Sequence, residues 1–234
     1  MNLLSLLKKS YQKGLFGTVR FVFQRFILQR WQLVWLERSL AMPMPARIIW
    51  SGEHMRLSAS TLTVLSRHFP RHITVAEDFL SNGLHGYAAV DEQGDAIAFA
   101  WVADGDYYDP HLYHCWLRVP TDAVYLVYGE VAKKLRGSGL ALLLHYVFAD
   151  CHQRGYQRAQ AVVDLSNLRS LTFCLGIGFH ETGLMQQVYC LAHHFYFSRR
   201  QPYQGQRFAH LIKPTRKRAL SACAAVDDSG APYQ

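Results

Sequence analysis

The sequence predicts a mixed α/β (α+β) domain, and three observations carry that reading. Residues 86–90 and 96–102 are two β-type runs flanking Asp91-Glu92-Gln93-Gly94-Asp95, a hairpin pattern with Gly94 supplying the turn. Residues 140–151 place Leu140, Leu143, Leu144, Val147 and Cys151 on one helical face, with His145, His152 and Gln153 off it. The run at 124–131 feeds a small-residue loop that opens this helix, and after Gly155 a second apolar run follows at 159–163. Strand, loop, helix, strand is the unit of a mixed fold.

A chain of 234 residues, 50% hydrophobic and 18% charged, has the composition of a globular protein with one sizeable core. Its net charge of +8 sits at the two ends. Residues 1–36 hold Lys8, Lys9, Lys13, Arg20, Arg25 and Arg30 and no acid; residues 199–218 hold Arg199, Arg200, Arg207, Lys213, Arg216, Lys217 and Arg218 and no acid. The body between them is slightly acidic. That distribution favours an anionic surface met by the termini over a nucleic-acid-binding core, so no nucleic-acid partner is expected.

The cysteines Cys115, Cys151, Cys174, Cys190 and Cys223 are odd in number and lack CxxC spacing, which predicts reduced, mostly buried thiols in a cytoplasmic protein. No apolar run reaches the roughly 18 residues of a spanning helix, and the opening apolar run is not followed by a signal-peptide cleavage pattern.

In chain order, residues 1–30 read as helical with a break near Gly14 and Gly17, and residues 31–40 as a strand. Phe21, Phe23, Phe26, Trp31 and Trp35 alternate with Arg20, Arg25 and Arg30, which suits a peripheral anchor on the inner membrane face. The same pattern suits packing on the domain or on a second subunit of a homodimer, because arginines at steps of five circle a helix. Met42-Pro43-Met44-Pro45 reads as a linker. A strand is expected at 47–50 and a helix at 58–68 ended by Pro70. His68 and His72 straddle that proline, so they read as surface histidines and not as a helical metal pair.

Residues 104–110 read as a polar, tyrosine-rich loop, 123–131 as a strand, and 188–197 as a strand with His193 and His194 near its middle. The domains expected are a basic aromatic extension (1–40), a central domain (41–198) and a basic, flexible tail (199–234).

Gly137 and Gly139 let the backbone between Arg136 and Ala141 approach a ligand and aim several N–H groups at one anion, next to the positive end of the following helix. By itself such a loop also serves plain packing. The order strand, Arg136-x-x-Gly139-x-Ala141, amphipathic helix, Gly155, strand, Asn167-x-x-Ser170, Gly178-Phe179 resembles the core of the GNAT superfamily of acyl-CoA-dependent N-acyltransferases. The resemblance is closest over residues 124–179 and extends to 47–197.

It implies a mixed, mostly antiparallel sheet whose central strands splay to admit acetyl-CoA, flanked by helices. Arg136, Gly137, Ser138, Gly139, Leu140 and Ala141 would hold the pyrophosphate, Val131 would pair its backbone with pantetheine, and Asn167 would reach the arm from the other side. No metal is implied. The acceptor would be a small-molecule amine, and an amino sugar of a surface-polysaccharide pathway is the analogy that the resemblance suggests.

Two positions concern proton transfer. Cys174 stands where the family often has a tyrosine as the acid for the leaving thiolate, and a thiol could serve there or simply pack. Glu130 adjoins the expected thioester site and is the first choice of base, with Asp164 the second. The expected function is an N-acetyltransferase. The alternative is an acyl-CoA-binding module or membrane-associated scaffold that keeps the fold without turnover.

Overall fold

Alternation of β-type runs with turns assembles into one large sheet. The computed structural model describes residues 28–43, 52–133, 139–192, 194–204 and 207–211. Strands β1 (Leu28–Ser39) and β2 (Glu53–Leu57) precede helix α1 (Ile73–Ser81). The hairpin β3 (His85–Val90) and β4 (Ala96–Ala103) follows, then a small pair, β5 (Tyr107–Asp109) and β6 (Cys115–Leu117). Next come β7 (Ala123–Val131), α2 (Gly139–Gln153), β8 (Arg158–Asp164) and α3 (Leu168–Gly176). A second hairpin, β9 (His180–Leu191) and β10 (Phe195–Pro202), follows, and a 3-10 turn at Ala209–Leu211 is the last element among the described residues.

The main sheet has eight strands in the order β10-β9-β1-β8-β7-β4-β3-β2. Its pairings are antiparallel except β7 with β8, whose parallel pairing needs the α2 crossover. This is the mixed, mostly antiparallel sheet that was expected.

Each face carries a core. On one, α2 and α3 cover Val34, Leu36, Ala98, Ala100, Val124, Ala159 and Ala161. On the other, α1, two 3-10 turns and the β5–β6 pair cover Leu33, Trp35, Phe99, Trp101 and Tyr125. The α2 stripe is as expected: Leu143, Leu144, Val147 and Cys151 are fully buried, while His145 and His152 face solvent.

Gly178 adopts φ +95°, and a Cβ there would lie 3.2 Å from Arg38 Nη1 and 3.1 Å from Met42 Sδ. Arg38 is fully buried and donates to the carbonyls of Ile177 and Met42, with its guanidinium 5.2 Å from the Phe148 ring centre. A strand arginine thus closes the C-terminus of α3, where carbonyls are left without helical partners.

Several local expectations are corrected. The strand expected at 31–40 begins at Leu28, so residues 28–30 are not helical; the rest of the predicted N-terminal helix lies outside the described residues. This strand sits between β8 and β9, inside the sheet, so a boundary at residue 40 does not separate it from the domain. The strand at 47–50 falls outside the described residues, and β2 lies just beyond it.

In place of a helix at 58–68 there is a 3-10 turn, Leu62–Leu65. Pro70 opens a second 3-10 turn leading into α1, since proline lacks only an N–H that a first turn leaves unpaired anyway. The run 188–197 is split between β9 and β10, with His194 in their turn. Strand β10 extends to Pro202, past the expected start of the tail at 199.

Cys115, Cys151, Cys174 and Cys190 are buried free thiols. Among the described residues no helix is long and apolar enough to cross a membrane.

Candidate active site

The parallel pair β7–β8 is short. Ala123, Val124 and Tyr125 pair with Arg158, Ala159 and Gln160, and there the pairing stops, although both strands continue. On its other side β7 stays paired with β4 to Val131, with a register shift at Val127: Trp101 faces Tyr128 and Val102 faces Leu126. One extra residue on β7 bends a strand away from its neighbour. Residues 126–131 therefore turn an edge toward β8 that carries no strand partner among the described residues.

The opening is a cleft of about 480 Å³. Leu126, Val127, Tyr128 and Gly129 form one wall and Ala161, Val162 and Val163 the other. From the α2–α3 face Leu140, Asn167, Ser170, Phe173 and Cys174 reach it; from the α1 face come His72, Phe79, Tyr107, Asp109, His111 and Tyr113. Gly129 matters for this closeness, since a Cβ there would stand 3.1 Å from Leu140 Cδ1.

The predicted site residues fall into distinct groups. Leu140, Asn167 and Cys174 line the cleft. Asn167 is the N-cap of α3 and accepts from the Ser170 backbone N–H at 3.2 Å. Val131 ends β7 opposite Ala98. Gly139 is the first residue of α2, and Ala141 is buried in the core beneath it. Arg136, Gly137 and Ser138 lie outside the described residues.

Burial pushes the Cys174 thiol up to about 12. Protonating a thiolate with an ordinary thiol value near 8.5 from such a group is uphill, which favours packing as its role.

Glu130 does not line the cleft. Its carboxylate lies 2.8 Å from His72 Nε2 and accepts from the Tyr128 hydroxyl at 3.2 Å. Burial, then the Glu130 charge, push the Tyr128 hydroxyl up to about 12, so it stays protonated and donates. His72 is the member of this trio that faces the cleft together with Tyr128, and its ring lies 5.2 Å from Phe99 and 5.4 Å from Tyr128.

Sequence reasoning reads His72 as a surface histidine because Pro70 separates it from His68, and no local spacing links it to Glu130, far along the chain. Asp164, the second choice of base, instead accepts from the Ser166 N–H at 2.6 Å and shapes the turn after β8. Asp109, the one carboxylate in the lining among the described residues, accepts from the backbone N–H groups of His111, Leu112 and Tyr113.

No protein-family model matches the chain, and no curated protein matches it. Solved structures do. One is a conserved protein of unknown function from Staphylococcus epidermidis, at 10% identity over 81% of this chain and 66% of that one, with a TM-score of 0.48. Another is a GCN5-related N-acetyltransferase from Sphaerobacter thermophilus, at 15% identity over 81% and 57%, with a TM-score of 0.41. A third is the aminoglycoside antibiotic 6'-N-acetyltransferase of Acinetobacter baumannii, at 21% identity over 56% and 91%, with a TM-score of 0.40. The chain spans under two thirds of the length of the first two structures, and the likeness is one of fold alone.

Proposed function

We propose that the protein is an N-acyltransferase that moves an acetyl group from acetyl-CoA to a small primary amine. The observation that carries this reading is the splay of β7 from β8: an open strand edge borders a cleft beside the start of α2. When bound, acetyl-CoA supplies the acyl group as an activated thioester. The edge at 126–131 offers backbone N–H and C=O groups to the amides of the pantetheine arm, as an added strand would. The residues from Arg136 to Ala141 and the start of α2 hold the pyrophosphate, and Asn167 reaches the arm from the α3 side. The unpaired backbone at the Val127 bulge supplies an N–H for the acyl carbonyl oxygen.

Within this reading His72 takes the amine's proton, and Glu130 holds the imidazole in place through its 2.8 Å contact. Glu130, expected as the base itself, becomes a positioning residue. The acceptor side is lined by tyrosine rings with, among the described residues, a single carboxylate, whose oxygens are taken up by backbone N–H groups. That lining suits one amine on a body with a flat apolar face, such as an amino sugar, over an acceptor with many cations. The A. baumannii structure, named for an aminoglycoside substrate, is a likeness in fold only.

Calorimetric titration with acetyl-CoA, followed by a thiol-release assay over a panel of amines, tests the proposal. Saturable binding and amine-dependent release are expected. Folded protein that binds nothing at millimolar acetyl-CoA refutes it. Binding without release across the panel would favour a module that keeps the fold without turnover.

A further inference from the structure

At one end of the sheet three strands present exposed rings and arginines side by side. The register puts Leu28, Leu191 and Phe195 in one row across β1, β9 and β10, and Arg30, Tyr189 and Phe197 in the next. Gln32, Gln187 and Arg199 form the third, in which Arg199 is exposed and Gln187 is buried. Partners directly opposite in a ladder share a face. Phe195 is 67% exposed, Phe197 56% and Leu191 41%. Tyr189 and Phe197 stack at 4.9 Å, and the Arg30 guanidinium sits 5.7 Å from the Tyr189 ring centre. The opposite face of these strands meets the segment between β5 and β6, through His114 on Tyr196 and Trp31 on Tyr113.

Charge decides what such a face accepts. No Asp or Glu occurs from residue 184 to 226, and none precedes Glu37. The exposed arginines Arg30 and Arg199 therefore have no acid from their own strand ends. The segment before Leu28 adds no acid either: it carries Lys8, Lys9, Lys13, Arg20 and Arg25. A second copy laid on the same face would bring arginine to arginine. Nucleic acid would use the arginines and rings, but the Leu28–Leu191–Phe195 row gives it nothing to pair or stack along. An anionic bilayer uses all three rows, with leucine and phenylalanine below the headgroups, tyrosine at their level and arginine on their phosphates.

We infer that the face formed by the start of β1, the end of β9 and β10 docks on anionic phospholipid membranes. The inference is independent of the acyltransferase reading, because none of these residues lines the cleft.

The test is sedimentation of full-length protein with vesicles of phosphatidylcholine, with and without phosphatidylglycerol. Binding to the anionic vesicles alone is expected, falling with salt. Phe195→Ser with Phe197→Ser should weaken it by roughly ten-fold or more, because two exposed rings no longer enter the interface. Arg30→Gln with Arg199→Gln should weaken it and flatten its salt dependence. All four side chains are exposed, so the melting temperature should hold, and acetyl-CoA binding should be unchanged in both variants.

Three results would overturn the inference. One is failure of the wild type to sediment with anionic vesicles at low salt. Another is undiminished binding by the double phenylalanine variant, which would assign the membrane contact to residues 1–27 alone. The third is a wild-type dimer that the variant abolishes without any change in vesicle binding, which would make the face a subunit interface.

Discussion

If Glu130 acts through His72, the two residues must fail to add. His72 lines the cleft and Glu130 does not, while their side chains meet at 2.8 Å. Removing a proton acceptor costs about a hundred- to ten-thousand-fold, so His72→Gln should lower kcat/KM by at least about 2.7 kcal/mol in barrier terms. Glu130→Gln should cost less than His72→Gln, because the imidazole that takes the proton remains in place. In the double variant there is no imidazole left to orient, so the loss should equal that of His72→Gln alone. Stability should barely register, because the pair is 27% and 36% exposed and such a pair contributes about 1 kcal/mol or less. The assay is thiol release with saturating acetyl-CoA, alongside calorimetric affinity for acetyl-CoA, which should stay constant in His72→Gln. Losses that multiply in the double variant would mean that Glu130 meets the substrate directly, and the relay reasoning would be wrong.

Three further outcomes follow from the geometry. Cys174→Ala should retain thiol release, since a thiol pushed up to about 12 is a poor donor to a leaving thiolate; a loss of about a hundred-fold would reinstate it as the acid. Gly86→Ala should cost about 1–3 kcal/mol in urea denaturation, because its Cβ would stand 2.6 Å from two Trp101 ring atoms and 2.9 Å from Leu57 Cβ, with Trp101 only 1% exposed; a cost under about 0.5 kcal/mol would show that β2 yields freely. Hydrogen bonds from Arg118 and Arg158 hold Asp106 and Asp122 below the usual carboxylate range. A depressed folded value stabilises above about pH 3.9 and is lost as pH falls through the folded value, so the melting temperature should drop in that acid window; Arg158→Gln should make the drop shallower, and an identical slope would contradict the assignment.

What the sequence disclosed depended on how far apart the cooperating residues lie. The β3–β4 hairpin was legible because Gly94, at φ +80°, and its flanking runs lie within a few residues of one another. Helix α2 was legible because its stripe repeats within fifteen residues. Helix α1 was missed because Pro70 was read as an ending, whereas its fixed φ also opens a first turn. Strand β2, Glu53 to Leu57, is a short edge strand with only Leu57 buried, so it lacks the alternation that marks a half-buried strand. Arg38 reads as an exposed charge in any local window, yet it is fully buried, and its acceptor at Ile177 is 139 residues away.

The same distinction divides the candidate site. Asn167 caps α3 through the Ser170 N–H, and Gly178 makes a left-handed turn against Arg38. Both are backbone requirements, met by residue types that few others can replace, so they leave a fixed spacing that a reader can find. Proton transfer leaves no such spacing. The proposed relay uses one carboxylate and one imidazole 2.8 Å apart, and any two elements that the sheet brings together can supply such a pair. Here they come from the turn before α1 and the far end of β7, with 57 residues between them. A motif can therefore point to where the acyl donor would lie while saying little of the base, and the assignment of His72 rests on the fold that joins it to Glu130.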